Sequence, residues 1–318
     1  ELPLSTIEAC RDISLNLAGR RSGKVRVSYE LDADRRLFVT TDRLSAFDSV
    51  VAAVPFKGQV LNELAAWWFR ATADIVDNHV IEVPDPNVLI AHAARPLPVE
   101  VVVRGVLTGS TSTSLWHQYS QGARTMYGYT FKDGLTKNSP LPHAIITPTT
   151  KGEGGVHDEP LSCADVVEQR LVEKSLWNRI QEIALALFAR GQSIADAAGL
   201  LLADTKYEFG LHQDGHLMII DEMHTPDSSR FWELDSYDAR ISRGDEPESL
   251  DKEPIRLALA ALGYRGDGPP PQLNIQVISD TTDRYITAYE RLTGDSFRRG
   301  AYPIQERIEV ALQKRAML

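Results

Sequence analysis

Cysteine is scarce: only Cys10 and Cys163 occur in 318 residues, far apart and without a CxxC spacing. That excludes a disulfide framework and fits a reducing compartment. Long apolar runs are missing as well. Nothing approaches the roughly 18 residues of a membrane span, and no charged-then-apolar leader opens the chain. The expected location is the cytoplasm, or a plastid stroma if a transit peptide has been removed. No membrane partner is expected. A basic surplus is also absent. The formal net charge is −10, which argues against nucleic acid, because phosphate backbones call for a basic face. The P-loop pattern, the GxSxG elbow, the kinase HRD and DFG words and a helical HxxxH are all lacking. His212 and His216 straddle a turn tip, so a zinc site is not expected. No feature signals an oligomeric state.

What is present is an ordinary globular balance, 43% hydrophobic and 25% charged, in a chain long enough for about two domains. "KVRVSYEL", "DADR" and "RLFVTTD" read as a hairpin around an Asp-rich turn. Residues 60–76 carry apolar side chains at helical spacing. "LPVEVVVRGVLTG" (97–109) is a β-branched run, expected to be a central strand. Two helices follow a loop-rich middle, one capped by Ser162 and one ending at Gly199. After a second hairpin, "GDGPPPQ" (266–272) is a stiff linker before two amphipathic helices. This order predicts an α+β fold in two lobes. Residues 1–106 form a small antiparallel-β-rich lobe over a larger α+β lobe, 107–318, which includes the closing helices.

The stretch "LLADTKYEFGLHQDGHLMIIDEM" (201–223) puts charge into strands that are otherwise apolar. With Asp214-Gly215 as a two-residue turn, facing residues sum to 429 and Glu208 lies opposite Asp221. Alternation then places Asp204, Lys206, Glu208 and Asp221 on one face, and Tyr207, Phe209 and Ile220 on the other. A three-residue loop would shift this register by one. Two carboxylates facing across a strand pair repel. A hard divalent cation such as Mg²⁺ would offset that; a solvated sheet face is the bland alternative.

Other charged clusters recur. "RRSGKVRVSYE" (20–30) has Gly23 at a strand start, where backbone N–H groups could approach phosphates among Lys24, Arg26 and neighbouring arginines. "TTDRLSAFDSVVAAVPFKGQVLNEL" (40–64) carries Asp42, Arg43, Asp48 and Lys57. Arg104 sits inside an apolar run, followed by Thr108-Gly109-Ser110 and a helix start, which together suggest an anion site. "TPTTKGEGGVHDEP" holds Lys151, Glu153, His157 and Asp158, and "DEMHTPDSSRFW" adds Asp227 and Arg230 after Pro226.

The words "GKVR", "TTDRLSAFD", "PFKGQVLN", "VVRGVLTGS", "TPTTKGEGGVHDE", "DTKYEFG" and "DEMHTPDSSRFW", in that order over residues 23–232, resemble the SAICAR synthetase family (phosphoribosylaminoimidazole-succinocarboxamide synthases), in its longer plant and bacterial type. The resemblance implies a fold distantly similar to kinases and ATP-grasp enzymes, and an ATP- and Mg²⁺-dependent ligase. Its substrates would be ATP, carboxyaminoimidazole ribonucleotide and L-aspartate, joined through an acyl phosphate. By the same resemblance Glu208 and Asp221 hold the metal. Lys24 and Arg26, with Gly23, meet ATP phosphates. Arg104, Ser110 and Arg230, with Asp48 and Asp204, bind substrate. Lys151, Asp158, Lys206 and Asp227 surround the transferring phosphoryl group, and Asp158 or Asp227 would accept the amine proton. Val27, Val106 and Pro254 depart from the family pattern. They leave open a paralogue acting on another heteroaryl carboxylate or amine, with a non-catalytic nucleotide-binding module as a third reading.

Overall fold

The computed structural model describes residues 7–47, 49–111, 113–152 and 158–318. Strands β1 (Ala18–Ser22), β2 (Arg26–Glu30) and β3 (Arg35–Thr40) form a meander, and β4 (Arg43–Ala46) pairs with β5 (Ser49–Ala53). Helix α1 (Lys57–Ala71) leads into β6 (Val80–Asp85) and β7 (Val88–His92), which complete a five-stranded antiparallel sheet in the order β1-β2-β3-β7-β6. The expected hairpin is present, with Tyr29 opposite Leu37. Helix α1 stops short of residue 76, because the Thr72 hydroxyl donates to the Trp68 carbonyl and the chain turns there.

The second sheet is built on β8 (Arg95–Val106). After α2 (Leu115–Ser120) and the short pair β9 (Thr125–Met126) and β10 (Tyr129–Thr130), β11 (Pro140–Ile146) and β12 (Thr149–Thr150) return to one edge of β8. Helices α3 (Cys163–Glu168) and α4 (Lys174–Ala197) precede β13 (Leu200–Leu211), which pairs with the other edge of β8 and with β14 (Leu217–Ile220) and β15 (Ser229–Glu233). The Ser162 cap forms as expected, in a reciprocal box with Asp165, and Gly199 takes φ +70 beyond α4. On α4, Trp177, Ile180, Ala184, Leu187 and Phe188 recur at helical spacing and bury against Val101, Val103, Tyr207 and Phe209 of the sheet. Burying each large side chain contributes about 2 kcal/mol. This core fixes the opposite, charged face of β8 and β13.

Two expectations about the lobes are corrected. Strand β8 belongs to the second sheet, so the change of sheet falls between His92 and Arg95, not at 106. Helices α5 (Leu234–Arg243), α6 (Glu253–Ala261), α7 (Ile275–Thr293) and α8 (Ile304–Gln313) close the chain, but they do not all stay with the second sheet. Ile304, Ile308 and Leu312 of α8 cover Val27, Tyr29, Leu37 and Val39 of the first sheet. Ile255 and Leu259 of α6 pack on Leu44 and Val54. The apolar faces of β2 and β3 need a cover that their own segment does not supply.

Candidate active site

Strand β13 carries the site, and the turn after it departs from expectation. His212 N–H donates to the His216 carbonyl and Gly215 N–H to that of His212, each at 2.9 Å, with Gly215 at φ +86. The loop is therefore the three residues Gln213-Asp214-Gly215, with a left-handed glycine at its third position. Glu208 pairs with Ile220 and Phe209 with Ile219. The expected Glu208–Asp221 pairing is not made, and Ile219 instead of Ile220 joins the core beside Phe209. Asp221 nevertheless reaches Glu208's face. It lies one residue past β14 at φ +71, a left-handed conformation that costs a non-glycine residue about 1–2 kcal/mol. The resulting turn puts its carboxylate 2.6 Å from Arg26 and 3.8 Å from Lys206.

Lys206 is the hub. Its Nζ lies 2.6 Å from Glu208 and 3.0 Å from Glu100, a residue directly opposite Glu208 on β8. Lys151 pairs with the other oxygen of Glu208. Burial alone would lower the Lys206 pKa, but Glu208, Asp221 and Glu100 raise it well above the usual lysine value. Burial pushes Glu208 up, yet Lys206 and Lys151 win and hold it at about 2. Glu100 goes the other way: burial raises it, and Lys206 does not fully offset that. Glu222 is likewise raised by burial, against the pull of Arg26. Glu208, Asp221 and Glu100 thus surround the Lys206 ammonium, and their hard carboxylate oxygens are of the type that Mg²⁺ takes.

Four residues earlier on β13 the arrangement reverses. Asp204 pairs with two arginines, Arg230 and, at 3.5 Å, Arg104. Arg104 also donates to the Thr147 hydroxyl at 2.7 Å. Two guanidinium groups meet at one carboxylate, the kind of fork that can also receive a phosphate, and Asp251 and Glu253 face Arg230 as well. Gly109 lies beside it at φ +97, and a Cβ there would meet the Ser114 hydroxyl at 2.3 Å and Arg230 Nη2 at 3.5 Å. Ser110 is exposed on the same loop. Helix α2 has only six residues, and its N-cap Ser114 bonds to Thr111, so the arginines, not the helix end, form the expected anion site. Arg230 and Ser110 line a cavity of about 370 Å³ in which Arg240, Arg284 and Lys137 are matched by Glu246, Glu248, Asp251 and Glu253.

Asp227 is buried. It accepts from Lys57 at 2.7 Å and from the Tyr285 hydroxyl at 2.6 Å. Burial pushes its pKa up, but Lys57 and Lys252 hold it at about 2. That makes it a poor proton acceptor, which corrects the suggestion that it takes the amine proton. Asp158 is exposed and accepts the Gly152 N–H at 2.9 Å. Gly23 is corrected as well. Its N–H closes the β1–β2 turn by donating to the Arg26 carbonyl at 2.8 Å, so it is not turned to a phosphate. Lys24 lies exposed on that turn, which Arg43 braces through the Gly23 carbonyl at 3.0 Å. Asp48, Glu153 and His157 lie outside the described residues.

Sequence reasoning missed Glu100, and it named Lys57 among the charges of 40–64 without giving it a role. The signal for Glu100 was the one used for Arg104, a lone charge in the apolar run "LPVEVVV". Lys57 interrupts "VPFKGQV" in the same way and is fully buried. Glu222 and Lys252 carried no such signal.

The sequence model of the SAICAR synthetase family matches residues 20–271. The chain belongs to this family. It is 47% identical over 281 residues to a putative phosphoribosylaminoimidazole-succinocarboxamide synthase 2 of Mesorhizobium japonicum, covering 88% of this chain and 90% of the relative. With the synthase of Legionella pneumophila (strain Lens) identity is 48%, over 90% and 91% of the two chains. With the chloroplastic synthase of Arabidopsis thaliana it is 45%, over 92% and 70%. The structure is similar to the Saccharomyces cerevisiae SAICAR synthase complexed with SAICAR, at TM-score 0.79 and 32% identity, covering 91% of this chain and 99% of the other. The α+β fold expected from the sequence is thus the family's fold. Among the described residues, no helix is long and apolar enough to cross a membrane.

Proposed function

We propose that this family member joins L-aspartate to carboxyaminoimidazole ribonucleotide at the expense of ATP, releasing SAICAR, ADP and phosphate. The observation that carries the reading is the pair of charge clusters on one face of β13, one a carboxylate between two arginines and the other an ammonium among three carboxylates. A free carboxylate is a poor electrophile. Moving the γ-phosphoryl group onto one of its oxygens makes that oxygen a leaving group. The aspartate amine then attacks the carbonyl carbon, phosphate departs, and the amine gives up a proton. Such a reaction asks for positioning and charge neutralisation more than for covalent help from the protein.

Arg104 and Arg230 hold the ribonucleotide phosphate, with Ser110 at its rim. Lys24 and Arg26 face the nucleotide phosphates from the first sheet. Lys151 and Lys206 neutralise the phosphoryl oxygens in transfer, and Glu208 fixes both ammonium groups through its two oxygens. Magnesium, held by Glu208 and Asp221, would supply further neutralisation of phosphate charge. Asp158 accepts the proton of the amine, because both oxygens of Asp227 are already engaged by Lys57 and Tyr285. Val27 and Val106 are buried in apolar clusters, so these two departures from the family pattern do not alter the substrate site. Pro254 lines the 370 Å³ cavity near the start of α6.

The test is a mixture of the protein with ATP, Mg²⁺, L-aspartate and carboxyaminoimidazole ribonucleotide, followed for ADP and SAICAR. Equal amounts of the two products are expected. ADP without SAICAR would instead mark a paralogue with a different amine or carboxylate, and ATP binding without turnover would mark an idle module.

A further inference from the structure

We infer that Asp34, His92 and His212 form a transition-metal site that staples the two sheets together. The three come from distant parts of the chain. Asp34 lies in the β2–β3 turn, His92 ends β7, and His212 ends the β13 side of the hairpin that bears the active site. One ligand atom from each lies within 4.8 Å of the others. His212 Nε2 is 2.7 Å from Asp34 Oδ1, and His92 Nδ1 is 3.4 Å from Asp34 Oδ2. The two imidazoles meet edge to face, with centroids 5.2 Å apart.

Ligand separations in a tetrahedral Zn²⁺ site are about 3.3 Å, given bonds of about 2.0–2.1 Å to nitrogen or oxygen. The His92–Asp34 spacing already matches. The His212–Asp34 hydrogen bond has to open by about 0.6 Å to admit an ion. A second observation points the same way. His212 Nδ1 lies 3.2 Å from Asp214, so a carboxylate orients the ring from behind, as in carboxylate–histidine–metal triads. The backbone is fixed in advance, with Ala93 N–H donating to the Asp34 carbonyl at 2.6 Å and the Gln213 side chain to the Ala33 carbonyl at 2.8 Å. Two imidazoles and one carboxylate favour Zn²⁺, Co²⁺ or Ni²⁺ over Mg²⁺. Three protein ligands leave a fourth position for water. The expectation from sequence that histidine binds no metal here overlooked partners outside the hairpin.

Titration of chelator-stripped protein with Co²⁺, followed by visible absorption, tests the site. The expected result is one equivalent bound with the intense band of a four-coordinate, nitrogen-ligated ion, displaced by Zn²⁺. His212→Gln and His92→Gln each remove the band. Asp214→Asn, which leaves all three ligands in place, weakens binding roughly 10- to 100-fold. Glu208→Gln, which takes a carboxylate from the phosphoryl site, leaves the band intact. Absence of the band in the parent protein would overturn the inference, as would its persistence in both histidine variants or its loss in Glu208→Gln.

Discussion

Two clusters on one face of β13 differ in what sits at their centre. At Asp204 two arginines converge on a single carboxylate. Around Lys206 three carboxylates, Glu100, Glu208 and Asp221, converge on one ammonium, with Lys151 also on Glu208 and Arg26 also on Asp221. The residues at 204, 206 and 208 share that face by the strand's period of two, so the contrast comes from the neighbouring strands. Strand β8 contributes Arg104 opposite Asp204 and Glu100 opposite Glu208. The proposed ligands differ accordingly: a phosphate beside the arginines of the first cluster, a cation with its nucleotide beside the carboxylates of the second. Asp227 is a third case. Lys57 matches it one to one in a buried pair, and such a pair has little left to offer a substrate.

Removing the acid that lies off register breaks the comparison hardest. Asp221→Asn should lower kcat by about 10³-fold, because phosphoryl transfer loses its preorganised charge, while the melting temperature stays near that of the parent. Near-normal turnover in a steady-state assay would take Asp221 out of the site. The matched pair should respond in the opposite way. Lys57→Met leaves Asp227 buried without its ion-pair partner, only Tyr285 still bonding it, which should cost about 3 kcal/mol of stability, measured by denaturant unfolding. A loss of activity without a loss of stability would show that Lys57 belongs with the substrate groups.

The arginine cluster should show as binding. Arg230→Ala should raise KM for the ribonucleotide roughly 10- to 100-fold, the worth of a charge-assisted hydrogen bond. KM for ATP should hardly change, and equal rises in both would merge the two clusters into one. The smallest effect concerns acid. The pKa of Asp227 is held at about 2 against a usual 3.8. A depressed carboxylate stabilises the fold above its unfolded pKa and loses that contribution as pH falls through its folded value. Parent protein should therefore lose roughly 2 kcal/mol from this group as pH falls from about 4 to 2. In Asp227→Asn that part of the acid slope should be missing from melts recorded across the range. An unchanged slope would contradict the ionised state assigned to Asp227.

Local patterns carried much of the fold. The β2–β3 hairpin, the central run of β8, the Ser162 cap and the α4 period all rest on contacts within a few residues, which sequence spacing encodes directly. What sequence left hidden depends on tertiary choice. Whether Asp214-Gly215 makes a two- or three-residue loop turns on Asp214, which a type I′ turn would hold at positive φ and which is not left-handed here, and that choice moved the partner of Glu208 from Asp221 to Ile220. The left-handed turn at Asp221 that brings its carboxylate to Lys206 has no local signature. Nor does any pattern near Ile304 or Ile308 indicate that α8 returns across the chain to cover β2 and β3. At the site, the charges interrupting apolar strands were legible at Arg104, Lys206 and Glu208, and the same reading extends to Glu100. The burial of Asp227 against Lys57 was not legible, because it joins segments 170 residues apart.

Calorimetric titration of ADP, with and without Mg²⁺, into parent protein and Asp221→Asn bears most directly on the claim that Glu208 and Asp221 share a cation with the nucleotide. Mg²⁺ should tighten ADP binding to the parent protein and have little effect on the variant. Equal tightening by Mg²⁺ in both proteins would contradict the claim.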